Sequence, residues 1–137
     1  MRIANVSQLY VLQEPLVRYR RHTKGGSVSE ATQANLIRSK YEFYNVLRGC
    51  MEQITDDTLV AAFKCDFLRP EAATREELLC ERAFLLLKTD CFDKAGKLAG
   101  VDMLAGLIDA EPTRRILREK YGFSQKDLYN LTVTVTV

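Results

Sequence analysis

Thr74-Arg75-Glu76-Glu77, followed by Leu78-Leu79-Cys80-Glu81-Arg82-Ala83-Phe84-Leu85-Leu86-Leu87, decides the fold class. A threonine with a glutamate three residues later satisfies the first backbone donors of a helix reciprocally. Leu78, Leu79, Ala83, Leu86 and Leu87 then recur at helical spacing. The same reading extends in both directions. Upstream, Ser29 suits the N-cap of a helix that carries Leu36, Ile37, Tyr41, Tyr44, Leu47, Met51 and Ile54 on one stripe. Asp56 or Asp57 can cap a second helix through Leu59, Val60, Phe63 and Phe67, which Pro70 ends. Downstream, a short helix is expected at about 92–99, with Gly100 breaking it and a resumption over 102–108. Glu111-Pro112 opens a helix through Ile116, Leu117 and Tyr121, and Gly122 closes it. Ser124-Gln125-Lys126-Asp127 starts a last turn or two. The tail 132–137 alternates Thr and Val, which favours a strand or a disordered end. The expectation is a mainly α fold: a helical bundle of about five helices, preceded by a short β-ribbon.

Composition narrows the function classes. The chain has 137 residues, enough for one domain with a real core. A net charge of +2 is too small to argue for a nucleic-acid partner. No apolar stretch approaches the roughly 20 residues of a membrane span. The start lacks a basic stretch followed by an apolar one, so no signal peptide is read, and a cytoplasmic location is expected. Cys50, Cys65, Cys80 and Cys91 form no Cys-x-x-Cys pair, and the one His gives a zinc site no second imidazole. They read as small hydrophobes in a reduced protein. Asp56-Asp57, Glu76-Glu77 and Asp127 sit at expected helix starts, where they complement the dipole. Tyr41, Phe43 and Tyr44 read as core.

The chemistry-bearing residues cluster near the start. Residues 7–12 form a plausible strand, Glu14-Pro15 interrupts it, and 16–21 continue extended. Under period-two alternation Leu16, Arg18, Arg20 and His22 share one face, with Val17, Tyr19 and Arg21 on the other. Lys24, Gly25-Gly26 and Ser27 follow in a loop. Guanidinium groups match phosphate oxygens through paired donors, and an imidazole is a competent metal ligand. A solvated basic strand edge explains the same cluster equally well from the residues alone.

The run Glu14-Pro15-Leu16, Tyr19-Arg20, His22 and Ser27-Val28-Ser29 resembles the end of the catalytic domain of family 2 glycosyltransferases. There a strand of this pattern is followed by a small Ser-containing element. Thr23-Lys24 lengthens the intervening loop relative to that pattern. Arg2-Ile3-Ala4 looks like the tail of the helix that precedes the strand in the family. The resemblance covers about the first fifth of the chain.

It implies an inverting enzyme that moves a sugar from a nucleotide-diphosphate donor to an acceptor hydroxyl. It also implies that His22 helps hold a divalent metal, Mn or Mg, and that Arg18, Arg20, Arg21, Lys24 and Ser27 bind the donor diphosphate. The family's Asp-x-Asp element and acidic motif are absent from this sequence. The expectation is therefore a C-terminal fragment, inactive in isolation and with no metal bound to it alone. Residues 1–28 would end the catalytic domain, and 29–137 would form an α-helical accessory domain. The nucleotide-sugar and acceptor would be partners of the parent, and a weak homodimer through the ribbon is expected. The alternative is a non-enzymatic helical protein-interaction module, supported by the absence of a complete catalytic constellation.

Overall fold

A computed structural model describes residues 10, 13–14, 32–89 and 94–136. Among them lie six α-helices: α1 (Gln33–Gln53), α2 (Asp56–Phe63), α3 (Arg75–Lys88), α4 (Ala95–Asp109), α5 (Glu111–Tyr121) and α6 (Gln125–Thr136). A 3-10 turn, Lys64–Asp66, follows α2. The fold is mainly helical, as the patterning implied. No strand occurs among the described residues, and the ribbon expected over 7–21 lies outside them except for residues 10 and 13–14.

The central element is α3. The capping box at its start forms: the Thr74 side chain accepts from the Glu77 amide, and Glu77 Oε2 accepts from the Thr74 amide at 2.9 Å. Nine of its 14 residues are buried, on every side of the helix. An uninterrupted Ala83-Phe84-Leu85-Leu86 segment requires this, because four consecutive apolar residues point in all directions around a helix. Cys80, Ala83, Phe84, Leu104, Ile108 and Leu117 form one core cluster. Leu59, Phe67, Ala72, Leu78 and Leu85 form another, on the opposite side of α3.

The most extensive packing is α3 against α4. Here the expected break at Gly100 does not occur: α4 runs continuously through it. A Cβ at Gly100 would lie 2.9 Å from the Ala83 carbonyl oxygen and 2.9 Å from the Leu87 amide nitrogen. Glycine costs a helix interior about 1 kcal/mol relative to alanine, but it lets the two backbones approach, and that contact outweighs the local preference.

Two caps differ from expectation, whereas Ser124 and Gly122 act where the sequence places them. Thr32, not Ser29, caps α1, its hydroxyl accepting from the Asn35 amide at 3.2 Å. Thr55 caps α2, accepting from the Thr58 amide, and Asp56 and Asp57 occupy the first turn instead. At the other end of the chain, Ser124 donates its hydroxyl to Asp127 at 2.5 Å. Gly122, at φ 61°, ends α5, and the Phe123 amide reaches back to the Leu117 carbonyl at 2.9 Å.

The tail is helix, which corrects the expected strand or disordered end. Leu128 and Leu131 pack on the first core cluster and Val135 is buried, a helical stripe that overrides the strand preference of alternating Thr and Val. The Thr134 hydroxyl donates to the Asn130 carbonyl at 2.8 Å, so the helix satisfies it locally.

Candidate functional site

Arg18, Arg20, Arg21, His22, Lys24 and Ser27 lie outside the described residues. Within the described residues, the densest polar constellation surrounds α3, where Glu77, Glu81 and Arg82 are buried. The sequence reading gave Glu77 a role at the helix start and missed Glu81 and Arg82. The available signal was their position inside a helix whose neighbours are apolar on every face.

Glu81 has no exposed surface. Its Oε2 accepts from the Leu68 amide at 2.8 Å, and its Oε1 accepts from the Arg69 amide and the Tyr121 hydroxyl, both at 2.9 Å. One turn earlier, Glu77 accepts from the Ala73 and Thr74 amides and from Lys120 Nζ at 2.5 Å. Arg69 closes the cluster: its guanidinium donates to the Lys120 carbonyl at 2.6 Å and stacks 5.8 Å from the Tyr121 ring centre. These bonds tie the 67–74 loop and the end of α5 onto α3.

Arg82 points towards the other side of the molecule. It donates to the Met51 carbonyl at the end of α1 and to Asp56 Oδ1 at the start of α2, both at 2.5 Å. A cation suits a helix C-terminus and its unpaired carbonyls. Its Nε is buried without a hydrogen-bond partner.

Three groups on or beside this cluster have pKa values far from neutral pH. Lys120 beside it, and then the Ala73 and Thr74 amides, hold the Glu77 carboxyl down at about 2. Burial, and then its bond to Glu81, pushes the Tyr121 hydroxyl far above the ordinary phenol range. Burial also pushes the Cys80 thiol up to about 12. A general acid or base works best with a pKa near the operating pH, and a nucleophilic thiol needs a depressed one. Glu77, Tyr121 and Cys80 have the opposite character. The constellation acts as a structural clamp on the 67–74 loop.

The Glu77 shift carries a sign. A carboxyl whose folded value is lowered stabilises the fold fully above its unfolded value, and loses that contribution as pH falls through the folded value. Stability should therefore decline as pH drops from about 4.5 towards about 2. Lys120→Met should flatten that decline in a urea-midpoint series against pH; equal slopes in both proteins would separate Glu77 from Lys120.

Two further features lie outside this cluster. Between α1 and α4, Tyr44 donates to Asp102 at 2.9 Å, and Arg48 pairs with the same carboxylate and with Glu52 at 2.8 Å. Glu52 beside it, and then Tyr44, raise the Arg48 pKa further. These are partly exposed ion pairs, of small energetic weight. A cavity of about 360 Å³ is lined by Ile108, Asp109, Arg114, Arg118, Phe123, Ser124 and Gln125. Arg114 donates to the Ile108 and Asp109 carbonyls at 2.6 and 3.0 Å, so its guanidinium caps the end of α4.

Among the described residues no group of three His, Cys, Asp or Glu side chains is placed to hold a metal ion, and no helix is long and apolar enough to cross a membrane. Cys80 is buried as expected, Cys65 is exposed, and Cys91 lies outside the described residues. No family model, no curated protein and no solved structure matches the chain.

Proposed function

We propose that this chain belongs to a nucleotide-sugar-dependent glycosyltransferase, with residues 1–28 contributing to the donor side of the catalytic domain and 29–137 forming a helical accessory unit. One observation carries the reading: the run Glu14-Pro15-Leu16, Tyr19-Arg20, His22 and Ser27-Val28-Ser29, in that order and close spacing. The chemistry is coherent. A nucleotide-diphosphate leaving group develops negative charge, and guanidinium donors at Arg18, Arg20 and Arg21 neutralise it through paired hydrogen bonds. Lys24 and the Ser27 hydroxyl would add donors to the same phosphates.

The divalent metal of such enzymes fits this chain only in part. His22 supplies one ligand, and the sequence has no Asp-x-Asp pair to supply the rest. No step is therefore assigned to a metal on this chain by itself. The buried cluster around α3 supports the same division of labour, since its groups are committed to holding the loop at 67–74.

The test uses the enzyme encoded by the full reading frame that contains this chain. His22→Ala should weaken Mn²⁺-dependent binding of the donor about tenfold or more, by the scale of losses seen when metal-site partners are removed, with the helical circular-dichroism signal unchanged. The chain alone should transfer no sugar. Equal donor affinity in mutant and parent, or turnover by the chain alone above a His22→Ala control, contradicts the proposal.

A second reading, a helical protein-interaction module, draws support from a different place. The first turns of α1 leave Leu36, Ile37 and Tyr41 exposed.

A further inference from the structure

We draw no further inference here: the strongest candidate, the cavity between the end of α4, α5 and the start of α6, carries nothing, because Arg114 is committed to capping α4 and to Glu111, the Asp109 carboxylate opposes an anion beside Arg118, and nothing in the structure shows what would fill it.

Discussion

Glu81→Ala should destabilise the fold by about 3–5 kcal/mol, the range for breaking a buried, hydrogen-bonded charge network. The carboxylate is fully buried and serves three donors at once: the Leu68 and Arg69 amides and the Tyr121 hydroxyl. Alanine leaves all three without an acceptor, and each unsatisfied buried group costs about 1–3 kcal/mol unless water enters. Glu81→Gln should fall between wild type and alanine, because one of its two positions then presents an amino group to a donor. Small domains are stable by about 5–15 kcal/mol, so the alanine variant should populate unfolded chain measurably. Urea unfolding followed by circular dichroism measures the effect; a change below about 1 kcal/mol would mean the carboxylate is not the anchor described.

Leu104→Ala should cost about 3–5 kcal/mol, the lost transfer free energy of the deleted carbons plus the cavity left behind. Leu104 is fully buried in the cluster formed by Cys80, Ala83, Phe84, Ile108 and Leu117. The backbones of α3 and α4 already approach as closely as Gly100 permits, so the site has little room to collapse around the void. Tyr129→Ala, at a 70% exposed position, should shift stability by under about 0.5 kcal/mol. Similar losses at the two positions would show that the α3–α4 contact is not the core.

Much of the helical architecture is written in local signals. The capping box at Thr74–Glu77, the proline in the first turn of α5 and Gly122 after it all act within a few residues, and each operates as its sequence implies. What the sequence conceals depends on contacts made across the chain. Gly100 reads as a breaker until the Ala83 carbonyl is placed beside it. The Thr-Val tail reads as a strand until Leu128, Leu131 and Val135 find a core to pack on. Glu77 looks like an ordinary first-turn acid, and nothing local reveals that Lys120, 43 residues later, pairs with it. The proposed donor-site residues present the reverse case. Their order and spacing are legible in sequence, while they lie outside the described residues.

On the proposed function His22 and its arginines serve donor chemistry, whereas Glu81 and Tyr121 hold the fold. Sugar transfer per folded molecule, in the enzyme encoded by the full reading frame, tests that separation directly. His22→Ala should lower Mn²⁺-dependent turnover about tenfold or more at an unchanged melting temperature. Tyr121→Phe removes one hydrogen bond to a buried carboxylate. It should lower stability by about 1.5–3 kcal/mol while leaving turnover per folded molecule unaltered. Full turnover with His22→Ala, together with loss of turnover in well-folded Tyr121→Phe, would move the chemistry to α3 and contradict the account.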